Sequence, residues 1–386
     1  MKRILIVAYY FPPDENGGTE RVKQFYYRLQ EEGYETFVLT ARKHGDRLNN
    51  SVKEDRHIFR LWGIWGATRA YDGFVRKFGI KIKLFKILAD FLTRIFLQVV
   101  KPDVCIASFP LSYDFDIGLS IKKFSNCKLI ADFRDGLLFQ PFNIVSNGNS
   151  FYKKKMVELE KNIVSFSDLL LAVAPEQAQY FEEKYAVSAV VIPNGFDHLQ
   201  IIDCRPIDLS AYGFTVLYTG GIDSSRPGQF QYAKKFFEKI IPDNQDITFV
   251  FIGSYFDYEL DFFKKYHNVV VYSKQKREVV IATQKNADIL LLITGEDKSA
   301  TSGKLFEYLF TSVPIINIGI KNNAARIINE CNAGETILNN QYNKFNEYIE
   351  KVKKSEIDVT RINIAQYTRQ AECHKLAKLI SAMFDV

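Results

Sequence analysis

The chain has 386 residues, of which 47% are hydrophobic and 25% are charged, and its formal net charge is +6. This length allows two domains with separate cores, and so small a positive charge does not indicate a nucleic-acid partner. No apolar run reaches the roughly 18 residues that a transmembrane helix requires. We therefore expect a cytoplasmic protein, either free or peripheral on the inner face of the cytoplasmic membrane.

Short apolar runs alternate with amphipathic segments through the first half of the chain. Strands are predicted at 3–8, 36–40, 103–108, 128–132 and 168–173. Helices are predicted at 19–32, 75–100, 113–124 and 151–164. Such an alternation is typical of a parallel sheet whose strands are connected by helices.

The same alternation continues in the second half and ends in a segment, 361–384, that is predicted to be helical. Strands are predicted there at 215–219, 248–252, 269–272, 289–293 and 315–318. Between the halves, Pro193-Asn194-Gly195 interrupts the pattern, because proline and Asn-Gly are strong breakers of regular structure. The sequence therefore predicts an α/β protein with one domain at 1–196 and a second at 197–364.

The most informative motif is the segment that begins Ser302-Gly303-Lys304-Leu305, after the apolar strand at 289–293. A strand, a small-residue loop and the start of a helix near Gly303 together form a cradle for an anion. Lys304 adds a full positive charge, and the carboxylate of Glu307 follows one turn later, where it is able to hold sugar hydroxyls. A site that offers partners to both phosphates and hydroxyls indicates a nucleotide-sugar.

A pair of glycines, Gly17 and Gly18, lies between the first strand and the first helix. Such a pair lets a phosphate approach the backbone closely, but a plain tight turn explains it equally well. The chain contains no G-x-G-x-x-G segment, which argues against a nicotinamide or flavin enzyme.

No metal site is expected. Asp114 and Asp116 form an Asp-x-Asp pattern of a kind that binds metal in some enzymes, but they lie at the start of a predicted helix. Carboxylates at that position stabilise the helix dipole and cap the helix. The five cysteines and five histidines are dispersed along the chain and form no ligand cluster.

Residues 74–101 form the longest amphipathic segment, and basic residues greatly outnumber its single acid, Asp90. Its apolar residues at helical spacing are Leu84, Leu88, Phe91, Leu92, Ile95, Phe96 and Val99. Basic residues beside a wide apolar face suit an anionic membrane surface. Packing of an ordinary crossover helix on the core explains the apolar stripe as well, and both interpretations stay open.

Five segments, in order, resemble the retaining GT-B glycosyltransferases of family 4. They are ILIVAYYFPPDENGGTERVKQFYYRLQEEGYETFVLTAR at 4–42, IADFRDG at 130–136, VIPNGFD at 191–197, LYTGGIDSSRPGQF at 217–230 and SGKLFEYLFTSVPII at 302–316. The resemblance implies two Rossmann-like parallel-sheet domains that face each other across a cleft. It also implies that a terminal helix, about 365–386, packs back on the first domain.

The resemblance also implies which residues bind the donor. Gly220 and Gly221 would face the diphosphate, Arg226 and Lys304 would supply charge, and Glu307 matches the second glutamate of the family's E-x7-E pattern. The other implied donor residues are Gly17, Gly18, Tyr272, Ser273, Ser302, Gly303 and Leu305. Ser299 stands where the first glutamate belongs, and Glu296 or Asp297 is the alternative. For Arg226 and Lys304, an exposed charge with no ligand is the competing interpretation.

Asp132, Arg134 and Asp135 are the candidate catalytic residues. They lie at the end of a predicted strand on the acceptor side. One carboxylate would orient the acceptor hydroxyl, and Arg134 would offset charge or bind a phosphate. The alternative is an ion-pair network that only shapes the loop, because structural networks also collect charged groups.

The resulting prediction is a glycosyltransferase that moves a sugar from a nucleoside diphosphate sugar, with UDP and GDP favoured, to a saccharide acceptor. The resemblance implies retention of the anomeric configuration, no metal or other cofactor, and a lipid-linked acceptor in surface polysaccharide or glycoconjugate synthesis. Two alternatives stay open. One is a non-hydrolysing nucleotide-sugar epimerase, and the other is a non-catalytic scaffold with a degenerate cleft.

Overall fold

The computed structural model describes residues 1–14, 17–41, 55–79, 83–139, 149–196, 204–224, 227–299, 302–358 and 360–385. The chain divides into two compact units. The N-terminal unit contains Met1–Asn194 together with Arg369–Val386, and the C-terminal unit contains Gly195–Thr368. Within the described ranges, no helix combines the length and the apolar character needed to cross a membrane.

The N-terminal unit is built on a parallel sheet of seven strands in the order β3-β2-β1-β4-β5-β6-β7. The strands are Arg3–Val7 (β1), Glu35–Thr40 (β2), Ile58–Arg60 (β3), Val104–Ser108 (β4), Lys128–Phe133 (β5), Leu169–Ala172 (β6) and Ala189–Val191 (β7). The central strands are continuous apolar runs because helices cover both faces of a parallel sheet.

Helices cover both faces of this sheet. They are Gly17–Glu31 (α1), Trp62–Phe78 (α2), Lys83–Val100 (α3), Ser112–Phe124 (α4), Ser150–Phe166 (α5), Pro175–Tyr185 (α6) and Arg369–Ala382 (α13). Alternate residues of β1 enter different cores, with Leu5 and Val7 on one face and Ile4 and Ile6 on the other. The terminal helix α13 packs on the second of these faces, where Leu376 and Ile380 share a core with β1.

The single helix predicted at 75–100 is wrong. The structure has two helices there, and α2 ends at Phe78. Gly79 follows with φ of 68°, a left-handed conformation that commonly ends a helix and that glycine adopts without strain. A side chain at this position would also collide with Phe151, since a Cβ would lie 2.7 Å from its ring.

The C-terminal unit repeats the scheme with a parallel sheet of six strands in the order β10-β9-β8-β11-β12-β13. The strands are Phe214–Thr219 (β8), Ile247–Gly253 (β9), Val269–Ser273 (β10), Ile289–Gly295 (β11), Ile315–Gly319 (β12) and Gly334–Ile337 (β13). The helices are Gln229–Asp243 (α7), Asp257–Phe263 (α8), Arg277–Gln284 (α9), Gly303–Leu309 (α10), Asn323–Glu330 (α11) and Tyr342–Lys353 (α12). Two parallel sheets with covering helices confirm the predicted α/β class.

Both sheets contain a point where the strand order reverses. In the N-terminal unit β1 lies between β2 and β4, and in the C-terminal unit β8 lies between β9 and β11. Ligands of open α/β sheets bind outside the carboxyl ends of strands at such a point. The loops after β1, β4, β8 and β11 are therefore where the site residues are sought.

Candidate functional site

The loop after β8 is held in a tight conformation by its glycines. Gly220 has φ of 91°, and its N–H donates to the carbonyl of Ile252 at 2.7 Å. The backbones of the loop and of β9 touch, because a Cβ at Gly253 would lie 2.4 Å from the oxygen of Gly220. Only glycines allow this approach, and the loop therefore turns tightly at the carboxyl end of the sheet.

Lys304, in the first turn of α10, lies against this loop. A Cβ at Gly220 would be 3.1 Å from its Nζ. The ammonium group donates to the hydroxyl of Tyr218 at 2.8 Å and lies 4.0 Å from the centre of that ring. Tyr218 in turn donates to the carbonyl of Gly221 at 2.9 Å. The structure thus brings together Gly220, Gly221 and Lys304, with Tyr218 as a connecting residue.

Helix α10 also carries the remaining predicted residues of its motif. Ser302 precedes the helix in an extended conformation, Gly303 begins it, and the side chain of Leu305 is fully buried in the core. Leu305 therefore anchors the helix, and any role that it has toward a ligand is through its backbone.

Glu307 is bound by an arginine from the neighbouring helix α9. Its Oε1 accepts from Nε of Arg277 at 3.1 Å and from Nη2 at 2.9 Å. The predicted role of Glu307 toward a ribose stays a prediction. Arg277 is not among the predicted site residues, but the structure places it beside Glu307. Ser299 stands where the family has its first glutamate. Its hydroxyl and its N–H donate to Asp297 at 2.9 and 3.0 Å, and these hydrogen bonds stabilise a turn.

Tyr272 and Ser273 lie at the end of β10, in register with Ile252 and Gly253 of β9. The hydroxyl of Tyr272 is 2.7 Å from that of Tyr212. This hydrogen bond, with burial, raises the pKa of Tyr272 to about 12. Both residues therefore lie at the same edge of the sheet as the Gly220 loop. Arg226 lies outside the described residues, and its predicted role stays a prediction.

In the N-terminal unit, Asp132 at the end of β5 forms a buried ion pair with Arg21 of α1. Its carboxylate accepts from Nη2 of Arg21 at 2.7 Å, from Nε at 3.1 Å, and from the hydroxyl of Ser108 at 2.8 Å. Nη1 of Arg21 donates to the carbonyls of Ile192 and Pro193, both at 2.9 Å. Burial lowers the pKa of Arg21, but the charge of Asp132 outweighs it and the net change is upward. This arrangement favours a positioning role for Asp132.

Arg134 has different surroundings. Its side chain is only 7% exposed, yet Nε and Nη1 have no hydrogen-bond partner in the part of the chain that the structure describes. The carboxylate of Asp135 lies 3.8 Å from Nε, too far for a hydrogen bond. Burial lowers the pKa of Arg134. A buried cation with unsatisfied N–H groups requires further acceptors, which an ordered water or an anion is able to supply.

The guanidinium of Arg134 lies against the start of α1. A Cβ built on Gly18 would be 1.9 Å from Nη2 of Arg134 and 2.1 Å from Nη1. Gly17 and Gly18, expected in the turn before the helix, are the first two residues of α1, and the structure brings Gly18 and the predicted arginine to one place. Helix α1 has 15 residues, so its positive end adds to the potential of the guanidinium.

The Asp-x-Asp pair binds protein groups. Asp114 accepts from the N–H groups of Tyr9 at 3.1 Å and Leu111 at 3.3 Å, and it is buried at the start of α4. Asp116 accepts from Lys155 at 2.9 Å. Among the described residues, no group of three acidic, histidine or cysteine side chains is arranged to hold a metal ion.

A cavity of about 320 Å³, which we call the aromatic cavity, lies beside the ends of β1 and β4. Its walls include five aromatic rings and two arginines, namely Tyr9, Tyr10, Phe109, Tyr113, Tyr152, Arg69 and Arg76. None of these residues is singled out by the sequence, because they come from four separate segments. The only signal is that two of the segments follow predicted strands.

Residues 16–199 match the model of Glycosyltransferase Family 4. The match covers most of the N-terminal unit. No curated protein sequence is similar enough to this chain to count as a relative.

Solved structures resemble the whole chain. Sucrose-phosphate synthase from Thermosynechococcus elongatus is 13% identical with a TM-score of 0.70, covering 100% of this chain and 99% of that one. HepE from Anabaena, in complex with UDP, is 14% identical with a TM-score of 0.67, covering 99% and 100%. A UDP-N-acetylglucosamine 2-epimerase from Neisseria meningitidis, bound to UDP-GlcNAc, is 13% identical with a TM-score of 0.57, covering 98% and 100%. At such identities these similarities show the fold, which is the GT-B class that the resemblance implies.

Proposed function

We propose that this chain, which is a glycosyltransferase of the family 4 type, transfers a sugar from a UDP- or GDP-sugar to a saccharide acceptor with retention. One observation carries the donor proposal: Lys304 is held against the Gly220-Gly221 loop by Tyr218 at the carboxyl end of β8. A lysine fixed beside a glycine loop is suited to the charge of a diphosphate. The complexes of similar structures with UDP and UDP-GlcNAc support UDP as the first nucleotide to test.

In the proposed reaction, the bond between the anomeric carbon and the diphosphate oxygen breaks, and the electron pair leaves with the diphosphate. The acceptor oxygen forms a bond to the same carbon on the same face, and its proton passes to the departing phosphate. The products are the glycoside and the free nucleoside diphosphate. Lys304 stabilises the negative charge that grows on the leaving group, which is the kind of interaction that lowers a transition-state barrier most.

The three candidate catalytic residues receive different roles in this proposal. Arg134, buried and unsatisfied against Gly18, binds an oxyanion of the reacting groups. Asp135, whose side chain is 52% exposed, is the carboxylate that orients the acceptor hydroxyl. Asp132 holds Arg21, which donates to the carbonyls of Ile192 and Pro193, so Asp132 positions this part of the chain and does not touch substrate.

A nucleotide-sugar epimerase is the second candidate, because UDP-N-acetylglucosamine 2-epimerases share the fold. The two activities differ in their products. An epimerase converts the nucleotide-sugar to its epimer with no acceptor, whereas a transferase releases the nucleoside diphosphate only when an acceptor is glycosylated.

The test measures melting temperature with UDP, GDP, ADP and their sugar conjugates, with and without Mg²⁺. A ligand that binds only the folded state raises the melting temperature by mass action. We expect one nucleotide to give a rise that does not depend on Mg²⁺. Incubation with that nucleotide-sugar, followed by product analysis, then separates epimer from nucleoside diphosphate. A protein that responds to none of the nucleotides has no donor site, and the non-catalytic alternative then stands.

We propose further that helix α3 contacts an anionic membrane, so that the acceptor is lipid-linked. The buried face of α3 contains Ala89, Thr93, Phe96, Leu97 and Val100. On another face, six large apolar side chains are 44 to 68% exposed and form what we call the outer stripe: Leu84, Ile87, Leu88, Phe91, Ile95 and Val99. Exposed basic residues, among them Arg76, Lys77, Lys83 and Lys86, lie on α3 and the adjoining end of α2.

Helix α3 has two apolar faces, and they correspond to the two interpretations of the segment, core packing and membrane contact. Phe96, predicted on the apolar stripe, packs in the core as a crossover helix requires. The outer stripe exists in addition to that packed face, and core packing does not account for it. Apolar side chains between basic residues match the interfacial region of a bilayer with anionic lipids.

A further inference from the structure

The aromatic cavity contains a pair of arginines from one helix. Arg69 and Arg76 are seven positions apart on α2, so they lie on the same side of the helix about 10 Å apart along its axis. Both side chains are exposed at the cavity wall. Among the described residues, neither guanidinium has a hydrogen bond or an ion pair with another side chain. The pair is therefore available to a ligand.

The acid nearest these arginines is already compensated. Asp72 lies between them on α2 and is the one acidic residue in the cavity wall described by the structure. Its carboxylate is bound by Lys155 and by the hydroxyl of Ser112. Lys155 also binds Asp116 at 2.9 Å. The hydrogen-bond partners of Asp72 are therefore residues other than the two arginines, and the wall keeps an excess of positive charge.

The rest of the wall is aromatic and uncharged. Tyr9 is in edge contact with Tyr10 and Tyr113, with ring centres 5.1 and 5.4 Å apart. Burial raises the pKa values of Tyr113 and Tyr152, so that neither hydroxyl becomes an anionic partner for Arg69 or Arg76. Aromatic walls with a few convergent polar groups are typical of sites for small organic ligands, and 320 Å³ is within the usual range of such sites.

We infer that the aromatic cavity binds an acidic part of the acceptor, a phosphate or carboxylate attached to a sugar, through Arg69 and Arg76. This inference rests on the proposed function, because it assigns the class of acceptor. Guanidinium groups bind phosphate and carboxylate in pairs of hydrogen bonds, and the tyrosine rings give the sugar an amphipathic surface. The phosphate of a lipid linker and the carboxylate of a uronic acid share this chemistry.

The experiment compares three probes that share a ring and differ in charge: glucose 1-phosphate, glucuronic acid and uncharged methyl α-glucoside. Binding is measured by ligand-observed NMR in saturating UDP, so that the donor site is filled. We expect the charged probes to bind at least about tenfold more tightly than methyl glucoside, since a charge-assisted pair contributes that much. The charged probe that binds more tightly identifies the source of the acidic group.

Two variants and one control make the test specific. Arg69→Gln and Arg76→Gln should each weaken binding of the charged probes about tenfold. Lys77→Gln removes one charge from the same helix but lies outside the cavity wall, and it should leave binding unchanged. Equal binding of charged and uncharged probes, no binding of either charged probe, or an equal loss in Lys77→Gln overturns the inference.

The change in melting temperature with UDP distinguishes a failure of this inference from a failure of the proposed function. A protein that is stabilised by UDP but does not distinguish the charged probes keeps the proposed transferase function and loses the acidic acceptor. A protein with no nucleotide response loses the proposed function whatever the probes do.

Discussion

Lys304 is the residue on which the proposed donor site depends most. Replacing it with methionine keeps an apolar stem over the Tyr218 ring but removes the charge near the Gly220 loop. We expect turnover to fall about 100-fold or more, as when one group that stabilises a growing anion is lost. The free energy of unfolding should change by less than about 1 kcal/mol, since the ammonium group is partly exposed.

Tyr218→Phe is the matched control for Lys304. It removes the hydroxyl that accepts from Lys304 and keeps the ring. The positive charge is kept and only the hydrogen bonds that hold Lys304 and Gly221 are lost, so turnover should fall less than in Lys304→Met. Normal turnover in Lys304→Met, measured as release of nucleoside diphosphate, would contradict the donor assignment.

Asp132 and Asp135 test the difference between positioning and catalysis. Asp132→Asn leaves Arg21 buried without a charge partner, and breaking a buried pair costs about 3 to 5 kcal/mol. Asp135→Asn changes an exposed carboxylate and should cost less than about 1 kcal/mol. Urea unfolding measures both values. An Asp132→Asn protein of normal stability and no turnover would show that Asp132 acts on substrate directly.

Glu372 on α13 gives the stability a pH dependence. Burial raises the pKa of this carboxyl from its ordinary 4.5 to about 8. Between these pH values the folded state holds one proton more than the unfolded state. Stability contributed by the neutral carboxyl is therefore lost as pH rises through this window, by up to about 1.4 kcal/mol per pH unit.

Urea unfolding at pH 5, 6.5 and 8 measures this slope. Glu372→Gln keeps a neutral side chain at every pH and should make the slope shallower, with its largest gain in stability near pH 8. Glu183→Gln, at an exposed position of α6, is the control and should leave the slope unchanged. An identical slope in Glu372→Gln and the native protein would show that this carboxyl is not the source.

Short motifs identify some site residues but not their partners. The residues Gly220, Gly221 and Lys304 stand out because glycines and lysine follow buried strands, and the structure brings them into contact. Arg21 does not stand out, because an arginine on a helix normally faces solvent. Its partner Asp132 is 111 positions away, and no local pattern encodes so distant a pair.

At the scale of elements, apolar strands are predictable and short edge strands are not. Every strand predicted from an apolar run is present in the structure. The strands without a prediction, β3, β7 and β13, have three or four residues and lie at sheet edges, where few of their side chains are buried. The apolar spacing predicts one helix over 75–100 because it continues past Gly79. In the structure this glycine ends the first of two helices.

The outer stripe of α3 makes a prediction about membrane binding. Phe91 and Ile95 are 57% and 51% exposed. Phe91→Glu and Ile95→Glu each place a negative charge among the apolar side chains of the stripe. Each change removes apolar contact and adds repulsion from anionic lipid, so binding should fall about tenfold or more. Co-sedimentation with vesicles of phosphatidylglycerol and phosphatidylcholine measures the effect.

Phe256→Glu is the control for these variants, because this phenylalanine is 48% exposed in the C-terminal unit. It should bind vesicles like the native protein. Native binding by the α3 variants would show that the outer stripe is not the membrane contact. Sedimentation would then test whether the outer stripe binds a second copy of the chain.

At the scale of the whole molecule, the sequence determines the class of enzyme more readily than its substrates. Five motifs in order are enough to indicate the fold, because each contains or follows a strand whose position the fold fixes. The inferred acceptor site is the aromatic cavity, whose walls include residues of α2, α4, α5 and the loops after β1 and β4. Side chains that converge from so many segments leave no spacing pattern to detect, so the inference about the acceptor class has no counterpart in the sequence.

The contact between Gly18 and Arg134 has a consequence for how this protein can evolve. With Arg134 in its present conformation, any side chain at 18 overlaps the guanidinium, so an alanine there displaces the guanidinium from this place. Gly18→Ala should therefore be as damaging as loss of the arginine itself, although it changes no charge. Once position 134 is a smaller residue, the same substitution at 18 should have almost no additional effect. The effects of substitutions at 18 and 134 should therefore be non-additive, so that the residues tolerated at one position depend on the residue at the other.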